Sequence, residues 1–424
     1  MPQKPIPATY AGGLSRRQVV AWRNAIFAIF FICGVALSTW VSRIPSVRDA
    51  FDADTATVAV LAFAIAVGSI AGLVTSSHLI SRLGAPRTIA WTLSTGALGL
   101  IVAASAATIG PSFAVTAIGL AIFGASLGIC DVAMNVSGAA QERVLGRPIM
   151  PIFHAFFSFG TMAGAALSVL AEALDLSIAA HVAAIGVLMA LTVVLSTRHL
   201  QSEHIVEDGA EIVADDDHSK TWRGRLSIWR DPRTIFIGLI VLGMAFTEGS
   251  ANDWLALAMV DGYGVDNASG ALIFGIFVTA MTIGRLAGVK VLERFGRVPV
   301  LRGTAILAVV GLVIVIFGPN PVVATIGVAL WGLGASLGFP VGMSAAADDP
   351  KTAAARVSAV ATIGYFAFLV GPPAIGLIGQ HFGLLNGLLV VLVLVLVAGF
   401  ASGSAREPKN RDRDGQAASP ALRA

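Results

Sequence analysis

Apolar residues along this chain come in long runs rather than in alternation. Segments of roughly 20 mostly apolar residues, the length that carries an α-helix across a bilayer, lie near 22–42, 56–80, 89–108, 113–136, 151–170 and 178–197. After a polar interval they resume at 234–258, 270–292, 299–318, 321–346, 354–379 and 383–403. None shows the period of two that marks a strand, which excludes a β-barrel. The pattern predicts an all-α membrane protein with twelve transmembrane helices. Its divisions are a tail over 1–21, a six-helix bundle over 22–197, a linker over 198–233, a second bundle over 234–403 and a tail over 404–424.

Composition agrees. Of 424 residues 56% are hydrophobic and 12% charged, half the charge of an average soluble domain, about 25%. The net charge of +3 says little, but its distribution says more. If the N-terminus is cytoplasmic, only Arg43 and Arg48 of the 28 Lys and Arg fall on the outer side, and Arg285 sits within a span. The positive-inside rule then places both termini in the cytoplasm and the chain in the inner membrane. Ser15-Arg16-Arg17 is similar to the start of a twin-arginine signal. The apolar run behind it is too long for a signal peptide, so an uncleaved first helix is expected.

The linker divides in two. From Glu203 to Asp217 it is acidic and expected to be flexible; His218 beside Asp215–Asp217 reads as a solvated charge run rather than a metal site. Trp222, Leu226 and Trp229 then share a helical face flanked by Arg223, Arg225 and Arg230, the pattern of a short helix on the membrane surface. Cys33 and Cys130 lie in apolar runs and offer no disulfide framework or metal spacing. No cofactor, metal or nucleic acid is expected. The expected partners are a small solute, protons and lipid, and the expected state is a monomer.

The two halves repeat. Gly124-Ala125-Ser126-Leu127-Gly128 recurs as Gly334-Ala335-Ser336-Leu337-Gly338, and Arg82-Leu83-Gly84 is echoed by Arg294-Phe295-Gly296 at nearly the same offset. A duplicated six-helix unit is an architecture of solute carriers. The pentapeptide also fits the Gly-x-Ser-x-Gly elbow of hydrolases, but that motif needs a strand–turn–helix setting, and both copies lie inside apolar helices. Gly124/Gly128, Gly334/Gly338, Gly160/Gly164 and Gly284/Gly288 instead match small-residue faces for close helix packing. No Walker A motif is present, so ATP-driven pumping by this chain is excluded, and no enzymatic activity is expected.

With these features the sequence resembles the major facilitator superfamily over about residues 20–403. Glu293-Arg294-Phe295-Gly296-Arg297 resembles the family signature, in which an acid and an arginine bracket a glycine turn and lock the cytoplasmic side. The copy after the second span, Ser81-Arg82-Leu83-Gly84-Ala85-Pro86-Arg87, has Ser81 where the acid belongs, which puts that half of the lock in doubt. A narrower resemblance is to the MosC-like and YbjJ-like branch. It is carried by Trp40-Val41-Ser42-Arg43-Ile44-Pro45, Asp131-Val132-Ala133-Met134-Asn135, the stretch from Gly146-Arg147-Pro148 to His154, and Glu248 to Trp254. The resemblance implies two pseudo-symmetric bundles and a proton-linked, alternating-access carrier of small solutes of the sugar or polyol kind.

Charge within the bilayer costs on the order of 2.5–3.5 kcal/mol per residue on insertion scales, so the few intramembrane polar groups are the candidates. Glu248, with Asn252 four residues on, and Asp131, with Asn135 four residues on, are expected to load protons or hold solute, Glu248 first. The alternatives are a Glu248 carboxylate fixed to a neighbouring cation and an Asp131–Arg285 ion pair. His154 and Ser158 form a stripe on a cavity, unless His154 lies near the inner surface and is satisfied by a backbone carbonyl. Asp253, nearer the outer end of its span, is either solvated at the outer loop or a gate contact of Arg43, and the two are the candidate outer gate. Trp40 and Trp254 either cap a cavity or belong to the interfacial belt, and Tyr365 can offer its hydroxyl to the cavity. Glu293, Arg294 and Arg82 are the cytoplasmic lock candidates, and Pro340, Pro372 and Pro373 interrupt spans ten and eleven. Two rival functions fit the same pattern: drug or metabolite efflux by the same fold, and a sensor or scaffold without transport.

Overall fold

The computed structural model describes Tyr10 and residues 13–52, 55–203 and 227–408. Trp222, Arg223, Arg225 and Leu226 of the expected surface helix, the Asp215–Asp217 run with His218, and the tail past 408 lie outside the described residues.

Eleven helices among the described residues are long and apolar enough to cross a membrane. The longest, Thr55–Thr108, is two helices joined at Gly84, whose φ of 76° and ψ of 160° are not helical. The crossings therefore number twelve. In order they are Arg16–Ser42, the two limbs of Thr55–Thr108, Phe113–Leu145, Met150–Ala173 and Ile178–Ser196 in the first half. The second half opens with Pro232–Ser250, which runs on through a π-turn at Ala251–Leu255 into Ala256–Tyr263. Asn267–Phe295, Arg297–Phe317, a broken tenth span (Pro321–Ala335 and Gly338–Ala346), Ala353–Phe382 and a twelfth span ending in Leu389–Ala401 follow. The alternation of directions puts the start of span one, both ends of the linker and the end of span twelve on one side, called here the linker face.

Local chemistry sets the ends. Span one begins at Arg16, ahead of its apolar run, because Ser15 and Gln18 form a capping box: the Ser15 hydroxyl accepts from the Gln18 amide and the Gln18 side chain accepts from the Ser15 amide. The arginine pair is thus the first turn of the first helix. Asp231 and Asn320 cap spans seven and ten, each followed by proline at the first helical position, where its missing N–H costs nothing.

In the first half the small-residue faces pack as the pattern predicts, whereas Gly334 and Gly338 flank the break in span ten and face different helices. A side-chain carbon on Gly124 or Gly128 would collide with the span-two carbonyls of Ile65 and Ser69, and one on Gly160 or Gly164 with those of Phe31 and Val35 in span one. Large side chains fill the centre of each half. Trp22 is fully buried and donates from Nε1 to Ser137 Oγ at 3.0 Å; in the second half Trp331 meets Phe277 edge-on at 5.3 Å. The exterior, by contrast, carries Phe63, Trp91, Val169, Leu272, Phe317 and Phe400 exposed, an apolar coat suited to lipid rather than water.

The repeat reaches the turns. Gly84 and Gly296 share one backbone conformation, φ 76° and 74°, in the region that favours glycine. In each half a glutamate following the last span of that half closes the turn. Glu203 accepts from the Ala85 amide with both oxygens at 3.1 Å, and Glu407 accepts from the Arg297 amide at 2.7 Å. Glu203 is therefore not part of a flexible acidic run; it is buried and anchors the linker to the start of the third span. At the other end of the linker, Ile228 packs on Ala355 and Ala359 of span eleven, while Trp229 is partly exposed.

Candidate transport site

Seven of the intramembrane polar residues form one chain of bonds across the two halves. On span four, Asn135 donates from Nδ2 to the carbonyl of Asp131 at 2.8 Å and to its Oδ1 at 3.3 Å. Asn135 Oδ1 lies 3.2 Å from His154 Nε2 on span five. Taking that bond as donated by the ring fixes the proton on Nε2, the assignment that lets the amide keep donating to Asp131. One turn along, Ser158 Oγ donates to the His154 carbonyl at 3.3 Å and accepts from Arg285 Nη1 on span eight. Arg285 then pairs through Nη2 with Glu248 Oε2 at 2.8 Å and donates from Nε to the Ser336 carbonyl at 3.4 Å. Asp131, Asn135, His154, Ser158, Arg285 and Ser336 are all buried, and Glu248, 21% exposed, is the most open member.

Spacing along two single helices placed Asp131 with Asn135 and His154 with Ser158, and packing joined them. The Arg285–Ser336 bond was not legible, although its cause is a residue in plain view. Ser336 occupies the middle of the repeated pentapeptide, and Pro340 stands four residues on. Proline has no N–H to offer the carbonyl of residue i−4. Span ten breaks at Ser336–Leu337, and the freed carbonyl is the one Arg285 takes. In the first half Cys130 occupies the matching place and span four runs unbroken.

Several sequence expectations are corrected. Arg285 does not pair with Asp131: its own half supplies Glu248, while the Asp131 Oδ1 is turned along its own helix toward Asn135 and its Oδ2 is buried without a hydrogen-bond partner. His154 meets the Asn135 side chain rather than a backbone carbonyl, and its ring is held edge-on between Phe30 and Phe339, at 5.1 and 5.4 Å. Arg43 does not meet Asp253. It is buried inside the first half, bonded to the Leu176 carbonyl and 3.4 Å from Glu172, because the close approach of spans one and five brings those groups to it; Asp253 and Asn252 are exposed on the π-turn. Trp40 is 1% exposed in the core of its half and belongs to no interfacial belt. Trp254 lies against Gly376 of span eleven with its Nε1 buried and unpaired. Tyr365 is half-buried, edge-on to Phe368 at 5.7 Å.

The bonds that join the halves among the described residues gather toward the linker face. Glu293 of the signature loop reaches across to Arg147 at 2.5 Å, whereas Arg294 stacks over the Phe295 ring at 5.3 Å and Arg82 is exposed. Arg143 donates to the Ala347 carbonyl at 2.9 Å, and Ser358 donates to the Leu73 carbonyl at 2.5 Å. Buried Glu142 accepts from the Met150 amide at 2.7 Å and from the Ser344 hydroxyl. Ser344 accepts in turn from Arg297, which pairs with Asp348 at 2.7 Å, as Arg233 does at 2.6 Å. Neither Glu142 nor Asp348 stands out in the sequence, since both lie at span ends where charge is ordinary.

A twelve-span duplicated fold with this signature loop narrows the comparison. The family model described as Major Facilitator Superfamily matches residues 149–366 and 254–423. The chain belongs to the Major Facilitator Superfamily. Within the superfamily it is 30% identical over 372 residues to an uncharacterized MFS-type transporter of Yersinia pestis, covering 87% of this chain and 92% of that one. It is 27% identical over 385 residues to the membrane protein MosC of Rhizobium meliloti, covering 89% of each. Among solved structures it matches the E. coli fucose:proton symporter FucP with a TM-score of 0.73 and 17% identity, over 93% of this chain and all of that one. That similarity shows the fold. As a superfamily member the protein is a multi-pass membrane transporter.

Proposed function

We propose that this transporter is a secondary carrier that moves a small polar solute, of the sugar or polyol kind, by alternating access driven by protons across the inner membrane. The linker face is cytoplasmic in this reading, which the one-sided distribution of Lys and Arg supports. One observation carries the mechanism: Arg285 holds Glu248 of its own half and Ser158 of the other, on a chain that ends at a buried carboxylate oxygen of Asp131 without a partner.

Glu248, matched by a guanidinium, serves as the fixed counter-charge. Among the described residues no cation lies within ion-pair distance of Asp131, and an unpaired buried charge is costly. A proton on Asp131 removes that cost, so Asp131 takes the role of proton carrier. Solute hydroxyls compete for the groups that hold Ser158, His154 and Asn135. Occupancy there releases Arg285 from Ser158 and frees the halves to rock. Fucose and xylose symporters share this fold, which is consistent with a hydrophilic solute.

The test is solute-dependent proton movement in proteoliposomes. Asp131→Asn is expected to abolish proton movement while retaining solute binding. Unchanged proton movement in that variant refutes the assignment.

A further inference from the structure

Spans nine and twelve form an apolar groove on the outside of the second half, lined by none of the transport-site residues. Span nine leaves the linker face and span twelve returns to it, so the helices lie antiparallel. Arg302 meets Ser402 at the linker-side end, Nε to Oγ at 3.2 Å. Ala305, Val309, Val395 and Gly399 line the groove, Phe400 forms a lip that is 86% exposed, and the space enclosed is about 440 Å³. Small residues leave the groove open: a side-chain carbon on Gly399 would face only Ala305, itself a lining residue.

Three features identify the occupant. From Arg302 to Val310 the helix advances roughly 12 Å at 1.5 Å per residue, close to the roughly 15 Å hydrocarbon depth of one leaflet. Arg302 is exposed and, among the described residues, spends only Nε on the protein; its two terminal nitrogens form a fork suited to a phosphate. A two-fold contact with a second copy through this face would oppose Arg302 to its own copy, which like charge disfavours. We propose that this groove binds one anionic glycerophospholipid of the linker-side leaflet, its phosphate on Arg302 and an acyl chain along Ala305, Val309 and Gly399.

The experiment is native mass spectrometry of the purified full chain mixed with equal amounts of phosphatidylglycerol and phosphatidylcholine. The wild type is expected to retain one phosphatidylglycerol in preference. Arg302→Gln reduces that preference about fivefold, the share of one surface cation in binding an anionic membrane, and its melting temperature in lipid-free detergent stays unchanged. Gly399→Leu fills the groove and removes the retained lipid. Equal retention of the two lipids by the wild type overturns the proposal. So does undiminished phosphatidylglycerol on both variants, or a dimer that Gly399→Leu dissolves.

Discussion

Arg285 sets the energetics at the scale of single residues. Removing one member of a buried ion pair costs about 3–5 kcal/mol because the other charge is left uncompensated, whereas removing both can be nearly neutral. Arg285→Gln and Glu248→Gln should therefore each lower thermal stability in detergent by more than the double variant does. Additive losses in that cycle would show the pair to be uncoupled. A second residue-scale prediction concerns Asp231, at the entrance to span seven. Burial alone would push its carboxyl up. The Thr234 hydroxyl, the Arg233 amide and Arg356, 2.9 Å away, outweigh that and hold it below the ordinary value of 3.8. A depressed folded value contributes stability above the unfolded one and loses it as pH falls below 3.8 through the folded value. Melting temperature against pH should show this acid limb in the wild type and a flatter one in Asp231→Asn.

Pro340 acts at the scale of the element. It withholds one amide, the tenth span opens at Ser336, and the released carbonyl becomes a ligand of Arg285. Pro340→Ala supplies the missing donor. Removing an interior proline is worth up to about 3 kcal/mol to a helix, so the variant is expected to melt higher while its transport slows, Arg285 having lost an acceptor. Wild-type transport from a more stable Pro340→Ala protein would show that the break serves packing alone. The pentapeptide repeat and the proline were both visible in the sequence. Their joint consequence was not, because it depends on span eight lying beside span ten.

For the whole molecule, the bonds holding the linker side closed differ in weight. Arg147 and Glu293 are 57% and 37% exposed, and exposed pairs contribute about 0–1 kcal/mol. Glu142 is buried and bridges a span-five amide and the span-ten hydroxyl of Ser344. Glu142→Ala should shift the population toward a linker-side opening, seen as faster labelling of a cysteine placed at Ser358 by a membrane-impermeant thiol reagent. Arg147→Ala should change that rate little. Equal effects would mean that the surface pair, and not the buried bridge, keeps the face closed.

The chain's sequence determined by itself the twelve crossings, the duplication, the small-residue packing faces and the short roster of intramembrane polar groups, because each follows from segment length, spacing or the cost of charge in hydrocarbon. Partnership was decided only by the tertiary structure. Arg285 had two carboxylates within plausible reach, Arg43 was matched to Asp253 and met Glu172 instead, and Ser81 left a turn without the expected acid until Glu203 arrived from the far end of its half. Which charge meets which depends on how helices distant in sequence lie against one another, and side-chain periodicity along a single helix carries no record of that.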